Sequence, residues 1–497
     1  MDPTYTHLHL VTGATRDMRS AQLRRYLDDA GRVKSWPAKR ATRMLVSTYL
    51  ASFFQPGQVY SEQEANHMLS EHLACAAYDY ATVRRDLCFN ANAMARNKGT
   101  SEPQKREAEP PMELAQTKRA SAMDIQAEHI LAEVCGAPVR LGSGADLGGS
   151  ARSRVVRFPI RQGPASCPAS VIVKQANTET FEPDTANNTT WWFFNDWASL
   201  QFLNQLETPT PLAPRFYGGN RQAGLFVMEN LGQGRRLDYL LLGNNAEIAE
   251  AGLLAYAKMH GCLHALTLRQ EGAYLRIREA LGPATPQDPC YHYAWLTSAQ
   301  RSMADLLELE VAPEVEAELA ALETLLTRSG PFHAFIQADA APDNVLHDGA
   351  SWRLIDFEGG HYTHALLEGV YRLPDEIMQR AETTYRAKLA RACPEATDDK
   401  RFYQAVVEAC VTWALNFHTH IRPLEKMLAQ DRSLVALTDR QQLLLYLNAA
   451  AHACAEFGHM PATGTSLRAM ATRLSHLWPE AVEPPCYPAF CSGTLGD

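Results

Sequence analysis

Residues 332–360, FHAFIQADAAPDNVLHDGASWRLIDFEGG, restrict the possible folds more than any other stretch of this 497-residue chain. An apolar run, a tight polar turn, a short strand at Asn344-Val345-Leu346, a turn at His347-Asp348-Gly349 and a strand ending Leu354-Ile355-Asp356 read as three strands in quick succession. Asp339, Asn344 and Asp356 then fall on turns or strand ends. Taken singly, each reads as a turn residue bonding its own backbone. Taken together, they form a set of oxygen donors that phosphoryl transfer can use. Asp339 is spaced to accept or orient a hydroxyl proton, Asn344 to hold a metal, and Asp356 to bridge a metal to nucleotide phosphates.

The joint pattern Asp-x-x-Pro-x-Asn, followed by an apolar-apolar-Asp-Phe-Glu strand end, resembles the aminoglycoside phosphotransferase and choline kinase-like family. That family carries His-x-Asp-x-x-x-x-Asn and then Ile-Asp-Phe/Trp-Glu. Gln337 stands where the family usually has His. The resemblance covers about residues 123–480. It implies an α+β, two-lobed protein-kinase-like fold, with an antiparallel sheet in the N-lobe (123–235, including the hinge) and a mainly helical C-lobe (236–480). It also implies transfer of the γ-phosphoryl of ATP (GTP being the alternative donor) to a hydroxyl of a small molecule, with Mg²⁺. In that reading Asp339 is the catalytic base and Asn344 and Asp356 are the metal ligands.

Upstream, Val139–Leu141 and Arg154–Phe158 read as strands flanking a turn with Gly142, Gly144, Gly148 and Gly149, where backbone N–H groups approach phosphates closely. A glycine-rich hairpin alone is a weak signal. About thirty residues on, SVIVKQAN is a strand carrying Lys174. By the resemblance Lys174 clamps the α- and β-phosphates, Gly148, Gly149 and Ser150 belong to the nucleotide loop, and Asp196 supports the lysine from the aromatic helix TTWWFFNDWASLQFLNQL. Asp196 is one methylene shorter than the Glu commoner in the family. The tryptophans and phenylalanines of that helix read as core. Met228–Gly232 resembles the hinge, so Glu229 and Leu231 are expected at the adenine edge through their backbone. His260 and His264 lie one helical turn apart, but position 261 is Gly rather than Glu, and they read as packed structural histidines. From 366 to 480 the pattern is almost wholly helical, and 481–497 reads as an irregular tail.

Charge divides the chain. Residues 1–110 carry 15 Lys/Arg against 12 Asp/Glu, whereas the remainder carries 32 against 44, giving −9 in total. Residues 18–98 read as a small, mainly helical module, with a turn at Gly31, a buried face of Leu45, Tyr49 and Phe53, and a capping box at Ser61 and Glu64. The patterns Asp-x-x-Gly-Arg-x-x-x-x-Pro-x-Lys and Tyr-Ser-Glu-x-Glu-Ala-Asn, with Arg84-Arg85, resemble a winged-helix-like domain of unknown function found in bacterial transcriptional regulators. The stretch Arg16–Arg43 holds nine basic and three acidic residues, a face equally suited to nucleic-acid phosphates or to plain solvation. Residues 99–122 have the composition of a linker.

Eleven scattered cysteines without Cys-x-x-Cys argue against a disulfide framework and a zinc site. No secretory leader and no apolar run of membrane-spanning length is visible, so the chain reads as cytoplasmic and free of membrane. The contrasting reading is a catalytically weakened kinase-fold protein that regulates or binds, with the front module contacting DNA or a protein. Nothing in the sequence speaks to the oligomeric state.

Overall fold

The computed structural model describes residues 122–490, apart from 151, 233, 286–292, 329, 369–374, 433–437 and 482–486, together with residues 26–28, 31–33, 46, 49, 50, 53, 68, 69 and 72. The linker as far as residue 121, Leu45, the Ser61–Glu64 cap, Arg24, Arg25, Arg84 and Arg85 lie outside the described residues, and residue 122 already opens a helix. At the front, Gly31 (φ 77°) turns the chain so that Leu27 and Val33 form an antiparallel bridge. Its carbonyl accepts the Tyr49 hydroxyl at 2.6 Å. Val46, Tyr49, Leu50 and Leu69 are buried there, and Phe53 stacks on His72.

Helix α1 (Ala122–Cys135) opens the larger part and lies on a six-stranded antiparallel sheet. Its strands are β1 (Arg140–Leu141), β2 (Ala145–Gly149), β3 (Ser153–Gln162), β4 (Ser170–Ala176), β5 (Phe216–Asn220) and β6 (Leu225–Glu229). The order is β1-β3-β4-β6-β5, with β2 also on β3. The central strand β4 buries Val171, Ile172 and Val173, as its near-continuous apolar sequence requires. Val171 and Val173 meet Ala127, Ile130 and Leu131 of α1 in one core. Helix α2 (Asn188–Leu203), started by the Asn187 side chain accepting from Thr190 N, packs Phe193, Phe194 and Trp197 in a second core with Phe226. Those aromatics are core, as expected; Trp192 is only half-buried.

Beyond β6 the chain is mainly helical. After β7 (Arg235–Arg236) come α3 (Leu237–Leu241), α4 (Ala246–Thr267), α5 (Glu271–Leu281), α6 (Leu296–Leu306) and α7 (Pro313–Leu326). Two small antiparallel units interrupt the helices: β8 (His333–Ile336) pairs with β11 (His361–His364), and β9 (Val345–His347) lies between β7 and β10 (Trp352–Leu354). Helix α8 (Asp375–Leu389) packs on α4, and α9 (Asp399–Asn416), α10 (Leu424–Ala429), α11 (Asp439–Phe457) and α12 (Pro461–Leu477) close the fold around a large apolar core. A curled antiparallel sheet with two packed helices, followed by a mainly helical part, is an α+β arrangement of two lobes. Among the described residues no helix is long and apolar enough to cross a membrane.

Four local expectations are corrected. Gly148 and Gly149 end a strand rather than occupying the turn. A bulge at Asp146/Gly148 lets β2 continue beside β3, and the hairpin is closed beyond them by Ser150 and Ser153, each donating its N–H to the other's carbonyl. Asn344 ends a 3-10 turn (Pro342–Asn344) instead of opening a strand, because Pro342 supplies the φ of such a turn. Cys135 and Cys167 are joined by a disulfide, since the end of α1 and the β3–β4 connection bring their Cα atoms to 6.2 Å. The tail is not wholly irregular: Pro488–Phe490 forms a 3-10 turn and Ala489 is buried against the lower lobe.

Burial makes the fold acid-sensitive. It pushes the imidazoles of His264 down to about 3 and of His361, His364 and His418 down to about 4, so these rings stay neutral in the folded chain. Unfolded, they would take up protons below about pH 6.5. Their stabilising share is therefore complete above that value and is lost as pH falls toward the folded values. Each contributes a slope of about 1.4 kcal/mol per pH unit. Urea midpoints measured from pH 7 to pH 4.5 should fall steeply; a flat profile would contradict the neutral burial of these rings.

Candidate functional site

One row of paired residues crosses the upper sheet. Gly148 of β2 faces Val155 of β3, Val155 faces Lys174 of β4, and Lys174 faces Phe226 of β6. Gly149 sits at φ 149°, and a Cβ there would stand 2.2 Å from the Ser153 carbonyl oxygen. The glycine thus lets β2 and β3 approach at their tip. The hairpin itself uses Ser150 N–H, which donates to Ser153 O at 2.9 Å.

Lys174 is buried, and its Nζ lies 2.7 Å from Asp196 Oδ2, 3.2 Å from Asp356 Oδ1 and 3.9 Å from Glu358 Oε2. Burial opposes its charge, but Asp196, Asp356 and Glu358 outweigh that and raise the ammonium pKa, so the group stays protonated. Burial is also the largest influence on the Asp196 carboxyl and raises it, against the pull of Lys174. The other Asp196 oxygen accepts Phe357 N–H at 3.0 Å, tying α2 to the segment after β10. Asn195 reinforces the tie by donating to the carbonyls of Glu358 (2.8 Å) and Gly360 (2.6 Å).

From the lower lobe, the segments that follow β8 and β10 bring the second group. Ala338 and Asp356 both hold left-handed backbone, φ 66° and 62°, a conformation that costs a non-glycine residue roughly 1 kcal/mol or more. Both bends are held by buried partners. Ala338 N–H donates to Glu368 Oε1 at 2.8 Å, Gln337 Nε2 donates to the Ile355 carbonyl, and Ile355 N–H donates to the Asn344 carbonyl at 3.0 Å. Glu368 also receives His264 Nε2 at 3.0 Å, while the other ring nitrogen of His264 meets the Tyr385 hydroxyl at 2.9 Å. His260 and His264 are thus buried structural groups around one carboxylate. Among the described residues no cluster of three or more His, Cys, Asp and Glu side chains is arranged to hold a metal by itself.

Asn344 Nδ2 donates to the Asp339 backbone carbonyl (2.9 Å) and to its carboxylate (3.0 Å). Burial, then the negative charges of Asp343 and Asp356, push the Asp339 carboxyl up to about 6. A carboxylate poised near neutrality is matched to accepting a hydroxyl proton. Asp356 and Asn344 supply a carboxylate and an amide oxygen, a hard donor set that suits Mg²⁺ completed by phosphate oxygens and water. The Asp356 side chain is 41% exposed beside a buried lysine, so room for such ligands remains.

The structure therefore brings Lys174, Asp196 and Asp356 into contact, and places Asp339 against Asn344 within electrostatic reach of Asp356. Glu229 stands at the end of β6, three ladder positions from Lys174's partner. Its carboxylate accepts Arg215 N–H at 3.0 Å, so the side chain is committed to the β5 edge. Leu231 follows in a bend capped by Asn230, whose side chain accepts Gly232 N–H and donates to Ser170. Three contributors escaped the sequence reading. Glu358 carried a signal, two residues after Asp356. Arg152, which pairs with Glu358 and lies over the Trp192 ring at 4.7 Å, showed only as a basic residue near the glycines. Glu368 had no signal of its own.

A family profile described as an uncharacterized protein conserved in bacteria (DUF2087) matches residues 32–102. No curated protein sequence matches the chain. Among solved structures, the chain is similar to choline kinase from Cryptosporidium parvum Iowa II, with 10% identity, 69% of this chain and 91% of that one covered, and a TM-score of 0.33. It is similar to a choline/ethanolamine kinase family protein from Mesorhizobium loti, with 13% identity, coverage of 67% and 93%, and a TM-score of 0.34. It is also similar to the streptomycin–ATP–APH(2″)-IIa ternary complex, with 12% identity, coverage of 63% and 98%, and a TM-score of 0.38. Likeness at this level speaks to neither substrate nor turnover in this chain.

Proposed function

We propose that the chain is an ATP-dependent phosphotransferase that moves the γ-phosphoryl group to a hydroxyl of a small molecule, an amino alcohol or aminoglycoside-like acceptor. The observation that carries this reading is a buried, protonated Lys174 held by Asp196 and touching Asp356, with Asp339 poised near neutrality beside Asn344. Lys174 holds the α- and β-phosphates, and Gly148, Gly149 and Ser150 let the loop backbone approach them. The backbone at Glu229 and Leu231 receives the adenine edge. Asp339 orients the acceptor hydroxyl and takes its proton as the phosphoryl group transfers. Asn344 and Asp356 hold Mg²⁺, which when bound neutralises phosphate charge. GTP is the alternative donor. Acidic groups around Asp339, namely Asp343, Asp356 and Glu358, favour a cationic acceptor. Nucleic-acid contact, where it occurs, belongs to the basic front stretch within residues 18–98. The test is ATP consumption with Mg²⁺ across a panel of hydroxylated amines. Phosphorylated product from one class supports the reading, and no product from any acceptor overturns it.

A weakened, regulatory kinase fold is the second reading, and Gln337 is the feature that favours it. Its buried amide braces the chain by donating to the Ile355 carbonyl, next to Asp356. If bracing is its whole task, Gln337→His should leave the transfer rate within a few-fold. A gain of a hundredfold or more would identify the natural chain as the weakened form.

A further inference from the structure

A cavity of about 250 Å³ opens at the far end of the β8–β11 ribbon from Asp339, where the end of α7 meets α9. One face of α9, Arg401, Gln404 and Glu408, forms one wall, at the three- and four-residue spacing of a helix side. Arg328, Phe332 and His364 complete the rim and floor. The His364 side chain is 5% exposed, and neither ring nitrogen makes a hydrogen bond; Glu408 Oε2 lies 3.6 Å away. A buried imidazole without partners ordinarily finds a polar ligand or water. Glu408 Oε1 is engaged by His459 at 3.0 Å, which leaves Oε2 facing His364.

The lining demands an unusual ligand. Two arginines offer forked N–H groups suited to an oxyanion, while Glu408 and a neutral imidazole require a partner that also donates. A carboxylate or a sulfate accepts only. A phosphate near neutrality retains a proton in part, because its second ionisation falls near pH 6 to 7. We infer that this cavity binds a small phosphate-bearing ligand, free phosphate or a phosphomonoester, with its oxygens on Arg328 and Arg401 and its P–OH directed to Glu408 or His364. The cavity exceeds a bare phosphate ion and falls below the roughly 300 Å³ at which drug-sized sites begin. Such a ligand ties α9 to His364 of β11, and thus to the ribbon whose other strand runs into Gln337–Asp339.

Isothermal titration of the full chain at pH 7 with inorganic phosphate, sulfate and glycerol 3-phosphate tests this. Phosphate should bind saturably at one site and sulfate at least about tenfold more weakly, the loss expected for one hydrogen bond to a charged group. Arg328→Ala and Arg401→Ala should each weaken phosphate by about tenfold or more. Both arginines are exposed, so the variants should fold like the parent, and a thermal melt confirms it. Tighter binding of glycerol 3-phosphate would identify a phosphorylated metabolite as the ligand, and the reverse order free phosphate. The inference is overturned if phosphate does not saturate, if sulfate binds equally well, or if both arginine variants bind phosphate like the parent.

Discussion

Asp339→Asn should lower phosphoryl transfer by about two to four orders of magnitude, the span usual for a general base, while nucleotide affinity stays within a few-fold. The amide keeps the size of the side chain and its contact with Asn344, but it cannot take a proton. Stability should move the other way. Asp339 stands among the charges of Asp343, Asp356 and Glu358, so its own charge is unfavourable in the folded state. Replacing it by a neutral group should raise the melting temperature at pH 7. Loss of activity with gained stability is the mark of a group kept for chemistry rather than for folding. A variant that transfers phosphate as well as the parent would remove Asp339 from its assigned role.

The second large effect concerns Lys174 and Asp196. Lys174→Met leaves the Asp196 carboxylate buried with its cation gone, which should cost on the order of 3–5 kcal/mol along with all nucleotide-dependent activity. The double variant Lys174→Met/Asp196→Leu replaces both charges with apolar groups of similar volume. It should recover most of that stability, since well-packed apolar pairs replace buried ion pairs at little cost. Activity should remain absent. Thermal melts beside transfer assays separate the two effects, and a double variant as unstable as the single one would contradict the pairing.

How far the site could be read before the fold was known follows from sequence distance. Asp339, Asn344 and Asp356 lie within eighteen residues of one another, and short strands between turns leave their placement little freedom. The Gln337-to-Ile355 bond and the Ile355-to-Asn344 bond are internal to that segment. Lys174 and Asp196 were accessible through the resemblance and through strand and helix periodicity. Arg152 and Glu368 were not, because their partners arrive only through tertiary folding. Arg152 lies 206 positions from Glu358, and Glu368 lies 30 positions from the Ala338 N–H that it accepts. The Gly148–Gly149 error was one of strand continuation. Glycine suits both a turn and a bulged strand, and only pairing with Val155 and Arg154 decides between them. Cys135 and Cys167 are 32 positions apart on elements whose meeting depends on how α1 crosses the sheet, so an odd, scattered cysteine count gave no hint of their bond.

Equilibrium binding of ATP with and without Mg²⁺, in the parent and in Asp356→Ala, tests the central claim most directly. Among the described carboxylates that touch Lys174, Asp356 is the most open to solvent, so it should join the metal to the triphosphate. The expected result is saturable ATP binding that strengthens markedly with Mg²⁺ in the parent and loses that dependence in Asp356→Ala. Absence of ATP and GTP binding in the parent, or binding indifferent both to Mg²⁺ and to the loss of Asp356, would contradict a nucleotide-dependent phosphotransferase.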